Sequence, residues 1–424
     1  MQEDFLHYIW EFQKFSKNAL QTEAGEKVEI IHQGTHNLNS GPDFFNTQIR
    51  IDGQLWVGNV EIHLQSGDWY IHHHETDAAY DNVILHVVWE YNTDIYRKDN
   101  TIIPTLVLKS RIDLSALVNY KKLFSTNKKW INCEEDFFEV DNFIIQNWLE
   151  RLYVERLESK SEHIEKLLLN SKNDWEAVLF QLLAKNFGLK VNSDSFLSMA
   201  TSFDFSVVRK ICHEHEDLES LFLGQVGLLE DISEEKYHQN LKARYSYLKI
   251  KFKLNNSNTI PVQFFRLRPV NFPTIRLAQL AAVYAKEHQL FSKVIKARNK
   301  KEIEKLFQIT TLPFWDTHYN FKSISANRNK KISKAFVDLL IINTISPLQF
   351  LYFKKNGIEK TEGILELMAS LPKEENQIVN TFNKLKFVAS NAMQSQALIE
   401  LKNKYCNPNK CLQCAVGNSL LQKK

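Results

Sequence analysis

Residues 54–65 read QLWVGNVEIHLQ. Side chains alternate across a β-strand with a period of two. Trp56, Val60, Ile62 and Leu64 therefore share one face, and Asn59, Glu61, His63 and Gln65 the other. One face is apolar, while the other presents a carboxylate and an imidazole two residues apart. Upstream, FFNTQIRI at 44–51 reads as a second strand, and Asp52-Gly53 between the two is a two-residue hairpin signal. A hairpin turning there carries Asp43, which opens the earlier strand, towards the far end of its partner, within reach of Glu61 or His63. Two carboxylates converging at a sheet end suit Mg²⁺ or Mn²⁺, which take hard oxygen ligands and retain waters for chemistry.

Working outward, Phe5, Ile9, Phe12 and Phe15 recur on one face of a first helix expected to end near Lys17. Lys27–Gln33 reads as a further strand, Val83–Trp89 (VILHVVW) as a strand apolar enough to be central, and Thr105–Lys109 as an edge strand. The polar stretch Ser66–Asn82 has room for a short helix. From about Asp141 the pattern becomes helical. Phe143–Leu169, Trp175–Phe187, Asp217–Leu229, Gln239–Lys251, Ile275–Glu287, Lys330–Ile345, Glu374–Leu385 and Met393–Lys404 all carry three- and four-residue apolar spacing. The expected fold is α+β: an N-terminal mixed α/β sheet domain at 1–118, a connector at 119–140 containing Cys133, and a large all-α domain at 141–424.

Composition narrows the class. The 424 residues are 44% hydrophobic with a net charge of +3, but the charge is uneven. Before Ser110 there are 7 Lys+Arg against 16 Asp+Glu, and eight of the 14 histidines fall there too. An acidic, His-rich front thus precedes a basic body. The sequence reading finds no apolar run of membrane-span length and no signal peptide at MQEDFLHYIW, so a cytoplasmic protein without a membrane partner is expected. Five cysteines, three of them close together near the C-terminus, do not form a secreted disulfide framework.

Pro42-Asp43 followed by Glu61-Ile62-His63, on an α-β-β-β-(α)-β order, resembles the PD-(D/E)XK restriction-endonuclease-like nuclease superfamily. The resemblance implies that Asp43 and Glu61 bind the catalytic metal and that His63 occupies the position of the lysine that orients or activates water. It also implies a helix-borne glutamate, for which Glu11 is the nearest candidate. Imidazole acts as a base or ligand near neutral pH but lacks lysine's fixed charge. The expectation is a metal-dependent nuclease, or a nucleic-acid processing protein derived from one, that hydrolyses phosphodiesters.

A second feature is WYIHHHETD at 69–77, with His86 on the next strand. His72 or His74 with Asp77 can bind a borderline metal such as zinc, which makes a zinc-dependent hydrolase the alternative enzyme. Consecutive histidines cannot all point one way, so at most two would join a site. The bland alternative is a surface cluster.

Cys406-x4-Cys411-x2-Cys414 is the sharpest local signal. Such spacing suits zinc or a [4Fe–4S] cluster, and Cys133 is the expected fourth ligand. The arrangement resembles that of iron–sulfur-stapled nucleases of the recombination helicase–nuclease class. Cys212 reads as a small buried hydrophobe.

In the basic body, Arg266, Arg268 and Arg276 interleave with Phe264, Phe265 and Phe272, a pattern suited to single-strand stacking and phosphate neutralisation. Basic runs at 296–301 and 328–331 add to it. Nucleic acid is the expected partner, DNA ahead of RNA, with a non-catalytic binding or scaffold protein as the remaining alternative. Finally, GPDFFN at 41–46, GNVEIH at 58–63, YDNVILHVVWE at 80–90, RLRPVNFPTIRLAQLA at 266–281 and YCNPNKCLQCAVG at 405–417 are similar to one uncharacterised bacterial family over nearly the full length.

Overall fold

In the computed structural model, residues 1–125 and 129–423 are described. The chain divides into two units. One comprises Met1–Trp148 with Lys384–Lys386 and Leu401–Lys424; the other comprises Leu149–Asn383 with Phe387–Glu400. The sequence reading ends the first domain at residue 118 and assigns 141–424 to the helical body. The units instead part at Trp148, and the C-terminal cysteines fall in the first.

The first unit is built on a mixed sheet. Its elements are α1 (Glu3–Glu11), β1 (Val28–His32), β2 (Thr35–His36), β3 (Phe44–Ile51), β4 (Gln54–Gln65), α2 (Asp68–Ile71), β5 (Val83–Glu90), β6 (Thr105–Val107) and α3 (Leu114–Leu123). The strand order is β1-β3-β4-β5-β6, with β2 pairing β3. β4 serves two ladders. Gln54 to Val60 pair antiparallel with β3, and Asn59 to Gln65 pair parallel with β5. Asp52 (φ 46°) and Gly53 (φ 84°) are both left-handed, as the mirror-image two-residue turn between twisted strands requires. Gly58 lies where β4 crosses close to β5: a Cβ there would meet Ile84 Cγ2 at 2.5 Å and the Asn82 carbonyl at 2.6 Å.

Helix α1 buries Phe5, Leu6, Tyr8, Ile9 and Trp10. It ends at Glu11, well before Lys17, because Gln13 turns left-handed (φ 48°) and Lys14 N–H returns to the Ile9 carbonyl at 2.9 Å. Phe15 then stacks on Trp10 from outside the helix, which explains why its spacing imitated a continuing helical face.

The second unit is helical. After α4 (Asn142–Asn170), whose first residues belong to the first unit, come α5 (Trp175–Phe187), α6 (Leu189–Thr201), α7 (Ser206–Ile211), α8 (His215–Gln225), α9 (Lys236–Phe252) and α10 (Pro273–Lys286). Asp174 caps α5 by accepting from the N–H groups of Glu176 and Ala177, both at 3.1 Å. Lys334–Lys355 is long and apolar enough to cross a membrane, which the sequence reading missed because Asp338 and Asn343 interrupt the run. It is buried over most of its length, and Asp338 is held by Lys300 at 2.6 Å.

Glu219 on α8 is fully buried. Its Oε2 accepts from the Tyr237 hydroxyl (2.7 Å) and the Trp315 indole N–H (2.9 Å), and Oε1 faces His215 Nε2 at 3.6 Å. Burial pushes the carboxyl up to about 7 despite those two donors, and Glu216 adds to the rise. An acid raised in the folded state contributes stability that is full below its unfolded value and is lost as pH rises through its folded value. Urea unfolding should therefore show stability falling between about pH 5 and pH 8 by on the order of 3 kcal/mol from this group. Glu219→Gln should remove that slope. His215, lowered by burial, contributes a slope of the opposite sign.

Candidate metal centre

Asp43 is tied to β4 twice. Its Oδ2 accepts from Ile62 N–H at 2.9 Å, and its own N–H donates to Glu61 Oε2 at 3.1 Å. The side chain thus continues the ladder that the backbone has just left. His7 of α1 places Nε2 3.2 Å from the same Oδ2. The two acids of the sequence reading are therefore adjacent, at the end of the β3–β4 pair.

The other oxygen of Glu61 faces imidazoles. Oε1 lies 3.3 Å from His74 Nε2 and 3.6 Å from His63 Nε2. His63 Nε2 is in turn 3.0 Å from His72 Nδ1. One ligand atom from each of His63, His72 and His74 falls within 4.8 Å of the others. On the far side, His63 Nδ1 is 2.8 Å from His86 Nε2. With Nδ1–H donating to His86, His63 Nε2 turns its lone pair towards His72 and Glu61, where a cation would replace the contact with His72 Nδ1, the usual arrangement behind a metal-ligating histidine.

Local chain geometry explains how two of three consecutive histidines converge. Trp69, only 2% exposed, anchors the short α2, and His74 N–H returns to its carbonyl at 3.1 Å. His73 adopts a left-handed backbone (φ 60°) and its side chain is exposed, so His72 and His74 both turn back to His63. Tyr80 stacks on His74 with ring centroids 3.8 Å apart. Asp77, expected as a possible co-ligand, instead caps the turn at Ala78–Tyr80 by accepting from Ala79 N–H at 2.9 Å.

Burial governs the electrostatics. Glu61 and His63 are 5% and 1% exposed, so the polar face of β4 is enclosed. Burial, then the neighbouring Asp43, pushes Glu61 up to about 9. Burial, then His74, His72 and His7, pushes His63 down to about 3, and burial lowers His74 and His86 as well. His7 goes the other way: burial opposes its charge, but the bond to Asp43 wins. A protonated Glu61 beside neutral His63, His74 and His86 leaves an uncharged core to the cluster. A divalent cation would reverse the balance by favouring the carboxylate. His74 Nε2 is buried without a hydrogen-bond partner, so its lone pair is available for an ion.

Two expected residues lie elsewhere, and two unexpected ones are present. Glu11 is at the wrong end of α1 and pairs with His36 Nδ1 at 3.4 Å. The acid of α1 that feels the site is Glu3, which couples to His72, His7 and Asp43. Glu3 and His7 stand four apart, one helical turn, the signal that sequence reading passed over. Arg276 is no surface cation. It is 8% exposed, stacked 3.9 Å over Phe336, and bonded to Asn271 and Gln279. Arg266 and Arg268 are exposed.

The first unit also gathers Cys133, Cys406, Cys411 and Cys414, none in a disulfide. Burial, then mutual repulsion, raises the Cys133 thiol well above the ordinary range and takes Cys411 to about 11. Asn132 Nδ2 donates to Cys411 Sγ at 3.4 Å, and the backbone N–H groups of Val416 and Gly417 favour the thiolate of Cys414. Gly417, in the helix Ala415–Leu421, is required by the close approach of the Cys411 backbone, whose carbonyl a Cβ would meet at 2.1 Å. N–H donors aimed at buried sulfurs are what a metal-bound thiolate set needs. No three of these thiols close to within 4.8 Å of one another among the described residues.

Neither the curated proteins nor the solved structures contain a match to this chain. One family model, described as protein of unknown function (DUF2851), matches residues 3–377, and with most of its length matched the chain belongs to that family.

Proposed function

We propose that the protein is a metal-dependent phosphodiesterase acting on nucleic acid, a nuclease or a protein derived from one. The observation that carries this reading is the meeting of Asp43 and Glu61 with three imidazoles around one small volume. Glu61 Oε1, His63, His72 and His74 would hold the ion, with Asp43 beside them. Nitrogen donors favour Mn²⁺ or a borderline cation such as Zn²⁺ over Mg²⁺, so the two metal readings of the sequence become one site. When bound, such an ion polarises a phosphoryl oxygen and lowers the pKa of water.

The chain's own groups supply the rest. Asp43 holds a proton on His7 Nε2, within one side chain's reach of the acid pair, where it can serve a leaving oxygen. His86 fixes the tautomer of His63. Tyr80 shields His74 from water. Support for a nucleic-acid substrate comes from the Pro42-Asp43 and Glu61-Ile62-His63 resemblance, with DNA ahead of RNA.

The cysteine quartet is proposed as a structural metal centre. Four thiolates around one tetrahedral zinc, with Zn–S of about 2.3 Å, stand about 3.8 Å apart. Zinc and a [4Fe–4S] cluster are the two groups that four such thiolates would hold.

A cleavage assay on labelled single- and double-stranded DNA and RNA, with Mg²⁺, Mn²⁺ or Zn²⁺ in turn, tests the function. Wild-type protein should cut with Mn²⁺, and Asp43→Asn should lose about 10²-fold or more. Equal cleavage by Asp43→Asn would remove the proposed centre. Salt-sensitive binding without cleavage under every cation would point to the non-catalytic alternative.

A further inference from the structure

The second unit contains another set of metal-ligating groups, unrelated to the acid–histidine cluster. Cys212 caps the C-terminus of α7, His213 follows it in the turn before α8, and His288 lies just beyond α10. One ligand atom from each falls within 4.8 Å of the other two. The two imidazole rings are 4.9 Å apart, centroid to centroid. Cys212, which the sequence suggested was a buried small hydrophobe, is only partly buried, and both histidines are exposed.

The scaffold around these three groups is firm. Glu214 N–H returns to the Ile211 carbonyl at 3.0 Å and closes the turn that carries Cys212 and His213. His288 is set between Glu287, the last cap of α10, and Gln289, whose left-handed backbone (φ 58°) starts the next helix at Leu290. Glu287 is not free to join as a ligand, because Lys286 and Lys293 hold its oxygens at 3.1 Å and 2.7 Å. The Cys212 thiol donates to the Arg209 carbonyl at 3.3 Å, a weak bond that a metal would replace.

We propose that Cys212, His213 and His288 form a Zn²⁺ site that joins the α7–α8 turn to the end of α10. One soft thiolate and two imidazoles make a borderline set that selects zinc over magnesium or calcium. Three protein ligands leave a fourth position open to solvent, so the ion is exchangeable. Binding requires the thiolate and covers the sulfur, and zinc thereby withdraws Cys212 from reaction with electrophiles.

Alkylation by iodoacetamide, followed at the Cys212 peptide by mass spectrometry on the full-length protein, reads this site separately from the four other cysteines. Zinc in excess should slow labelling of Cys212 by about tenfold or more, as expected when free ion exceeds Kd tenfold, and a chelator should restore the rate. His213→Ala combined with His288→Ala keeps the thiol and should abolish the protection, while circular dichroism verifies its fold. Labelling of wild type that ignores zinc, or equal protection in the double variant, would overturn the site.

Discussion

Glu61→Gln is expected to leave the protein folded and to reduce metal-dependent cleavage by about 10²- to 10⁴-fold. Glutamine keeps the shape and can still accept the Asp43 N–H bond at 3.1 Å. It cannot supply an anion to a cation. Without metal, burial and Asp43 already keep Glu61 protonated to about pH 9, so the amide resembles the side chain as it stands in the free protein. A raised acid loses folded-state stability as pH climbs from its unfolded value of 4.5 towards its folded value. The metal-free variant should therefore be as stable as wild type near neutral pH, or more so. Thermal unfolding with and without Mn²⁺ makes the distinction: the wild type should gain stability from the ion and the variant should not. Lower stability of the variant in the absence of metal would mean that Glu61 is an ordinary structural acid.

The second large effect concerns the cysteine quartet. Cys411→Ser should remove the bound metal and destabilise the first unit by on the order of 5 kcal/mol, since ligand-set binding energy is folding energy. Cys133, Cys411 and Cys414 are buried and Cys406 partly so; the thiols repel one another when ionised and come from segments far apart in the chain. Anaerobic purification followed by iron, sulfide and zinc analysis should find either iron with sulfide or stoichiometric zinc in wild type, and little of it in the variant. Equal metal content in the two proteins would defeat the assignment. Cys212→Ser, outside the quartet, should leave that content unchanged.

Much of this arrangement was legible from local chemistry. The period-two pattern of 54–65 and the Asp52-Gly53 turn fixed the β3–β4 hairpin, and with it the approach of Asp43 to Glu61. Trp175–Phe187 was legible as a helix because Asp174 caps it and Gly188 follows it. Cys133 was favoured over Cys212 for its place at the exit of the α/β region; it lies in the same unit as the C-terminal trio and feels their charge.

The parts that escaped depend on backbone states or on enclosure. A left-handed His73 is what lets both His72 and His74 reach His63, and side-chain identity gives no sign of it. Glu3 and His7 look like one turn of a solvated helix face until the sheet end is placed against them. Arg276 beside phenylalanines reads the same in a core as on a nucleic-acid surface, and its burial decides the matter. Likewise, the acid–imidazole face of β4 has the alternation of a half-exposed strand, yet both of its faces are covered at Glu61 and His63.

The most direct test is anomalous diffraction at the manganese edge from crystals soaked in Mn²⁺. A peak about 2.0–2.3 Å from Glu61 Oε1 and from the nearest nitrogens of His63, His72 and His74 is predicted. Manganese bound elsewhere on the protein, with no density between those four side chains, would contradict the account.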